Sequence, residues 1–526
     1  MILINSAAYI NSDLISEFGK LPPCMLPVQS KRLYEHQVEL LSKVNHNHET
    51  IYITLPESFH SEISEFDKKN FNKLDIFPIY IQDGLSIGQA IAYTLNFIGG
   101  YNQNITMLHG DTLFDENIEP GTNGYSSSYA VEDNYHWDNN DNNQYFTGYF
   151  SINNQPVFLQ HLVKEKYDFI NAFKQYIKYN GNGNDSKCLA GWKDFGHINT
   201  YYRSISEMTT QRSFNDLKTI GEHGPNIICK GSKDTNKMEA EESWFKNIPS
   251  LLQVYTPKIF GINDGAPMQR YKKYYMEYFY LSSLANLFVF DKNPIFVWKD
   301  IISACIDYLN DEYSLKSGID YETLTTSNDK MYYSKTIKRL KDTDIDLNKE
   351  WFINGVKTPS VNEILNELDK DIHKGNSDFC SIVHGDFCFS NILYDFKSKS
   401  IKVIDPRGRD NDGNISIFGD FRYDVAKLAH SVIGMYDYIV AGRYYYTENG
   451  NKLTLTFEYN NALKELQDWF VKQNFCGFNF NELDIYIILV HLFLSMIPLH
   501  ADRPDRQKAF LANALRLYVD YKNKKG

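Results

Sequence analysis

Four short apolar runs, Ile2-Leu3-Ile4, Ile51 to Leu55, Ile76 to Ile81 and Ile105 to Leu108, alternate with helix-like segments such as Tyr34 to Val44 and Ile87 to Ile98. A strand that is apolar throughout must be covered on both faces, and a helix following each strand supplies the cover. The opening part of the chain therefore predicts a mainly parallel, layered α/β sheet. The stretches Gly121 to Gln144 and Asn180 to Ser186, rich in Asn, Asp, Ser and Gly, read as surface loops.

At 526 residues the chain exceeds what one hydrophobic core organises, so at least two domains are expected. The texture changes after Tyr202: a polar segment, Ser204 to His223, leads into Ile227-Ile228-Cys229 and a helix-like run from Asn236 to Lys246. We place the boundary at residue 210, giving domains 1–210 and 211–526. The second divides into a small lobe, 211–290, and a large lobe, 291–526. Beyond Trp298 the pattern is mostly helical, apart from strand-like Ser381-Ile382-Val383 and Ile401 to Ile404.

Composition narrows the partners. A hydrophobic fraction of 43% and a charged fraction of 23% belong to a folded chain. A net charge of -12 argues against nucleic acid, because phosphate neutralisation needs a surplus of Lys and Arg. Met1 to Phe18 has neither a basic n-region nor a continuous apolar h-region, so a cytoplasmic chain is expected. Ile485 to Ile497, interrupted by His491 and Ser495 and closed by Pro498, is short for a membrane span and predicts a buried helix. Seven scattered cysteines without a CxxC pair read as reduced core residues.

The segment Ile382-Val383-His384-Gly385-Asp386-Phe387-Cys388-Phe389-Ser390-Asn391 is followed by Val403-Ile404-Asp405-Pro406-Arg407-Gly408. Taken alone, His-Gly-Asp is a turn and the Asn a helix cap. Together they place a carboxylate, an amide and a second carboxylate at the spacing of a phosphotransfer site, which needs a base for the acceptor hydroxyl and metal ligands for the triphosphate. Asp386 suits the base, and Asn391 and Asp405 suit the metal. His384 is expected to order the loop. Arg407 would hold a phosphate or pair with a loop carboxylate. Such a site also needs a cation on the nucleotide phosphates, steadied by an acid. Lys230 ends the run Ile227-Ile228-Cys229, and Glu241 follows on the next helix-like segment, with Glu242 or Glu239 as alternatives. Tyr274-Tyr275-Met276-Glu277-Tyr278 reads as a hinge, where Glu277 and Tyr278 would present backbone groups to an adenine. A glycine-rich phosphate loop has only Gly221 and Gly224 as candidates.

On these residues, roughly 213–526 resembles the aminoglycoside phosphotransferase and choline kinase family, with its H-G-D-x-x-x-x-N loop and later acidic strand end. Gly419-Asp420-Phe421-Arg422-Tyr423-Asp424-Val425-Ala426 resembles that family's segment after the metal site, with Asp420 and Asp424 in structural roles. The resemblance implies a two-lobed, protein-kinase-like α+β fold, ATP, Mg²⁺ and a small hydroxylated acceptor.

The first domain resembles the sugar-phosphate nucleotidyltransferases, through Ile4-Asn5-Ser6-Ala7-Ala8, Met25-Leu26-Pro27-Val28, Ser86-Ile87-Gly88-Gln89-Ala90, Leu108-His109-Gly110-Asp111 and Gly191-Trp192-Lys193-Asp194-Phe195-Gly196-His197. That resemblance implies a Mg²⁺ shared by Asp111 and Asp194, bridging a second nucleoside triphosphate and a sugar phosphate. The family's G-x-G-x-R loop has no counterpart between Tyr9 and Leu21, and Lys31 or Arg32 is left to supply its cation.

The reading that unites the two halves is a bifunctional enzyme. It phosphorylates a hydroxyl of a sugar, polyol or amino alcohol and activates the ester with a nucleotide for surface glycan synthesis. The alternatives are a single kinase whose first domain is a silent nucleotide-binding scaffold, and a non-enzymatic pseudokinase assembly.

Overall fold

The computed structural model describes residues 1–43, 45, 49–99, 104–115, 124–129, 138–139, 144–180, 186–187, 191–208, 217–221, 224–261, 272–316, 320–341, 343–458 and 460–525. The chain forms two compact units, Met1–Thr209 with Phe290–Asn293, and Thr210–Val289 with Pro294–Gly526.

The first unit is built on a seven-stranded sheet in the order Ser186–Lys187, Gly124–Ser128, Tyr145–Ile152, Ile105–His109, Ile2–Asn5, Ile51–Pro56, Ile76–Ile81. Ile2–Asn5 is parallel to both neighbours and buried throughout, as its unbroken apolar run demands. Tyr145–Ile152 enters antiparallel, so the sheet is mixed rather than wholly parallel. The helix Ile87–Ile98 starts at a reciprocal cap: Ser86 Oγ accepts from the Gln89 N–H at 3.2 Å and Gln89 Oε1 from the Ser86 N–H at 2.9 Å. Gly88 is required there, because a Cβ would stand 2.1 Å from the Tyr167 carbonyl oxygen.

Gly124–Ser128 is a strand within the stretch read as loop. Its serines are satisfied across the sheet, Ser126 by Thr147 and Ser127 by Gln144, so polar side chains are buried at little cost. Of the second loop stretch, 181–185 lies outside the described residues.

The second unit opens with an antiparallel sheet in the order Leu217–Gly221, Gly224–Ser232, Lys272–Glu277, Ile259–Phe260. The helix Thr235–Asn247 follows its second strand. Helices dominate the remainder, among them Ile295–Ser314, Phe421–Val432, Ile485–Met496 and Pro504–Lys525. Every residue from Ile485 to Ser495 is buried, and among the described residues no helix is long and apolar enough to cross a membrane. Two antiparallel strand pairs interrupt the helices: Cys380–Ile382 with Phe418–Asp420, and, between them in the chain, the hairpin Ile392–Asp395 with Ser400–Val403. A further sheet, Val356–Thr358, Trp351–Ile353, Lys452–Thr456 and Tyr445–Asn449, stands where the sequence reads as helical. Trp351–Ile353 and Val356–Thr358 are too short for alternation to show, whereas Lys452–Thr456 does alternate, with Leu453 and Leu455 buried. The six described cysteines are free; Cys188 lies outside the described residues.

Candidate functional site

In the second unit, two strand pairs and one helix bring the predicted residues together. Lys230, on the strand Gly224–Ser232, is 1% exposed and sits 2.5 Å from Glu241 Oε2 and 3.0 Å from Asp405 Oδ1. Glu241 is thus the acid of the pair; Glu242 pairs with Lys246 on the same helix. The Tyr274 hydroxyl donates to the same Glu241 oxygen at 3.0 Å. Burial acts to lower the Lys230 pKa, but the carboxylates of Asp405 and Glu241 outweigh it and hold the ammonium above its ordinary range. A lysine so fixed presents a preset positive charge.

Asp405 ends its strand with φ at +60°, a left-handed conformation that an Asp tolerates better than a branched residue. Three residues on, Gly408 also has positive φ, and a Cβ there would meet the Ala240 carbonyl oxygen at 2.1 Å. The Trp244 indole N–H donates to the Val383 carbonyl at 2.8 Å, tying the Glu241 helix to the start of the His384 loop.

Asp386 and Asn391 are locked to each other. Asn391 Nδ2 donates to the backbone oxygen and to Oδ2 of Asp386, both at 3.0 Å, which turns its Oδ1 away from Asp386. The Ile404 N–H donates to the Asn391 carbonyl at 3.0 Å, so the Asn391 loop and the Asp405 strand are in register. His384 is fully buried, and burial lowers its pKa to about 4. The neutral ring donates from Nε2 to the Ile404 carbonyl and accepts the Asp386 N–H at Nδ1. It therefore orders the loop.

Two side chains of the helix Phe421–Val432 complete the site, and the sequence assigned neither to it. Lys427 places its ammonium 2.7 Å from Asp386 Oδ1. Burial would push the Asp386 carboxyl up, but Lys427 overcomes this and holds it below the ordinary carboxylate range. Asp424, one turn earlier, accepts the Gly385 N–H at 3.0 Å and the Phe387 N–H at 3.4 Å, fastening the loop from beneath. The i, i+3 spacing of Asp424 and Lys427 on one helix face was the available signal. Arg407 donates to Asn411 Oδ1 at 3.0 Å, and its side chain covers Gly385, where a Cβ would stand 2.7 Å from Arg407 Cβ.

The N–H groups of Glu277 and Tyr278 already donate to the Lys258 and Asn226 carbonyls at 2.8 and 2.7 Å. Their N–H groups are thereby engaged within the sheet. Gly221 and Gly224 face each other across the hairpin leading into the Lys230 strand; 222–223, between them, lies outside the described residues.

In the first unit, Asp111 follows the central strand Ile105–His109, and Asp194 lies on Lys193–Asp194, which pairs antiparallel with Thr112–Leu113. The Phe195 N–H donates to the Asp111 carbonyl at 2.8 Å. Both carboxylates crowd Gly196: a Cβ there would stand 2.8 Å from Asp111 Oδ2 and 3.2 Å from Asp194 Oδ1. Asp194 is braced by Thr200 Oγ1 at 2.6 Å and the Gly196 N–H at 3.0 Å. Burial and the charge of Asp194 push the Asp111 carboxyl up to about 6. Two acids forced together in this way suit a divalent cation. Arg32 is buried against Asp67 at 3.7 Å and the Met25 carbonyl, and Lys31 pairs with Glu39 at 2.5 Å.

The second unit is thus a small antiparallel sheet with a helix, followed by a mostly helical portion, and the first unit is a layered α/β sheet. Sequence comparison matches no family model and no curated protein. Among solved structures, a nucleoside-diphosphate-sugar pyrophosphorylase from Vibrio cholerae RC9 is similar at 15% identity, covering 39% of this chain and 99% of its own, with a TM-score of 0.32. An aminoglycoside-3'-phosphotransferase of type VIII is similar at 12% identity, covering 59% of this chain and 91% of its own, with a TM-score of 0.29. A spectinomycin phosphotransferase, solved with ADP and spectinomycin, is similar at 9% identity, covering 58% of this chain and 89% of its own, with a TM-score of 0.32.

Proposed function

We propose that the second unit transfers the γ-phosphoryl group of ATP to a hydroxyl of a small molecule, and that the first unit joins the resulting phosphate ester to a nucleotide. The observation that carries the first half is the convergence of Lys230, Glu241 and Asp405 beside the locked Asp386–Asn391 pair. Lys230 steadies the nucleotide phosphates, as its fixed charge allows. Asp386 orients the acceptor hydroxyl and receives its proton as the O–P bond forms and the bond to the ADP oxygen breaks. A carboxylate held acidic by Lys427 is a weak base, which suits a loose transition state in which the hydroxyl proton leaves late.

Asn391 Oδ1 and the Asp405 carboxylate fit a Mg²⁺ ion, being oxygen donors on two backbone segments held in register. When bound, that ion supplies charge neutralisation for the triphosphate. Among the described residues no group of three or more His, Cys, Asp or Glu could hold a metal; at either pair the two side chains named would hold a Mg²⁺ ion together with phosphate oxygens and water.

In the first unit, the Asp111–Asp194 pair fits a second Mg²⁺ on the same reasoning. The phosphate ester attacks the α-phosphorus of a nucleoside triphosphate, and pyrophosphate leaves. Such a pairing of activities makes an activated building block for a surface glycan. The test is acceptor-dependent ADP formation over a panel of sugars, polyols and amino alcohols, followed by pyrophosphate release over a panel of nucleoside triphosphates. A kinase whose first unit binds nucleotide without turnover is the competing reading. It is favoured by the burial of Arg32 against Asp67, which leaves the absent G-x-G-x-R loop without an evident replacement cation.

A further inference from the structure

The loop carrying Asp386 is bordered by more positive charge than phosphate transfer requires. A cavity beside it is lined by His384, Gly385, Arg407, Arg409 and Tyr423, and also by Asp410 and Asp420, whose carboxylates are taken by Asn414 and Arg422. The Lys335 ammonium lies over the Tyr423 ring at 5.3 Å, and Arg339 follows one helical turn later on Tyr333–Leu340, donating to the Ser495 carbonyl at 3.2 Å. Lys427 completes the group, but its charge is answered by Asp386. Among the described residues no carboxylate pairs with Lys335, Arg339 or Arg407; Arg407 reaches only a carbonyl and an amide oxygen. Burial, and then the charges of Arg407, Arg339 and Lys427, hold the Lys335 ammonium well below its ordinary range, with Asp386 pulling the other way. Clustered cations that no side chain neutralises are costly unless a ligand brings the counter-charge. Lys335 stands over Tyr423, on the helix that carries Asp424 and Lys427, and Arg407 lies against Gly385, next to Asp386 in the chain, whereas Lys230 is committed to Glu241 and Asp405.

We infer that the acceptor is an anion: a small hydroxylated molecule that also bears a carboxylate or phosphate, held by Lys335, Arg339 and Arg407 while its hydroxyl meets Asp386. The inference rests on the kinase reading and narrows it, disfavouring amino alcohols and plain polyols. The transfer balances as before: the acceptor O–H loses its proton to Asp386, its oxygen bonds to the γ-phosphorus, and ADP departs with the electron pair of the broken O–P bond.

The test uses the full chain with ATP and Mg²⁺, measuring ADP formation with three sets of acceptors matched in size: hydroxy acids, sugar phosphates, and neutral polyols or amino alcohols. The expected result is kcat/KM about a hundredfold or more higher for one anionic set than for its neutral analogue, a difference two well-made charge contacts supply. The hydroxy-acid and sugar-phosphate arms identify which anion it is. Lys335→Gln and Arg339→Gln should each raise the acceptor KM about tenfold with the KM for ATP nearly constant. Lys335→Arg should recover most of the loss, which separates charge from folding. Turnover that favours an amino alcohol or a neutral polyol would overturn the inference and leave the kinase reading standing. A rise confined to the KM for ATP would reassign the cations to the nucleotide. No ADP formation with any acceptor would overturn both.

Discussion

The Lys427 ammonium lies 2.7 Å from the carboxylate of Asp386, the acid to which the proposed transfer assigns the acceptor proton. Removing it, as in Lys427→Met, should raise the pKa of Asp386 toward and beyond the ordinary carboxylate range, since burial then acts unopposed. An Asp must be ionised to take a proton, so activity is lost as pH falls through its pKa. The acidic limb of the pH–rate profile should therefore move to higher pH in the variant. An unmoved limb would mean that Lys427 does not set the charge state of the base.

Asp386→Ala and Asp386→Asn should leave the fold intact and lower acceptor-dependent turnover by about 10²–10⁴-fold, the usual contribution of a positioned acid or base. Steady-state kinetics beside a circular dichroism spectrum check both halves of that statement. Near wild-type turnover in either variant would remove Asp386 from the role.

Lys230→Met leaves Glu241 buried without its partner, and breaking a buried ion pair from one side costs about 3–5 kcal/mol. A fall in unfolding midpoint is expected together with a raised KM for ATP. If only the acceptor KM moved, Lys230 would belong to the acceptor and not to the nucleotide.

Asp424 offers a pH test of the loop's anchorage. Burial pushes its carboxyl up to about 7, against an ordinary value of 3.8. Between these values the folded state holds a proton that the unfolded state has released, so this group's contribution to stability falls as pH rises and is lost above about 7. Asp424→Asn keeps an oxygen for the Gly385 and Phe387 N–H groups without titrating. Its unfolding midpoint should vary less between pH 5.5 and 8 than that of the wild type, a range of roughly one unit or more on either side of the raised value. Equal pH dependence in the two proteins would show that Asp424 does not titrate there.

Legibility followed the reach of each signal. Ile76–Ile81 and Ile87–Ile98 were readable because an apolar run and helical periodicity are local signals. Gly124–Ser128 was not, since its serines are buried only by virtue of Thr147 and Gln144 on other segments. The three-residue strands Trp351–Ile353 and Val356–Thr358 are too brief to show a period. In the site, Lys230, Glu241, Asp386, Asn391 and Asp405 stood out by spacing. Lys427 did not, because its partner lies 41 positions earlier by subtraction of their numbers. The N–H groups of Glu277 and Tyr278 are engaged by the Lys258 and Asn226 carbonyls, a register that a sequence motif does not encode.

The measurement that tests the central claim most directly follows phosphorus by ³¹P NMR in one tube. It contains the intact protein, ATP, Mg²⁺, a second nucleoside triphosphate and an acceptor from the panel that supports ADP formation. The account predicts a phosphate monoester first, then pyrophosphate and a nucleotide diphosphate ester. Asp111→Ala should stop at the monoester, because it removes one of the two carboxylates that crowd Gly196 and leaves Asp386 and Lys230 in place. Asp386→Ala should form no monoester, and monoester added from outside should restore the second step. A wild-type protein that accumulates monoester yet releases no pyrophosphate with any nucleoside triphosphate would contradict the account, and the first unit would then be a silent relative attached to a kinase.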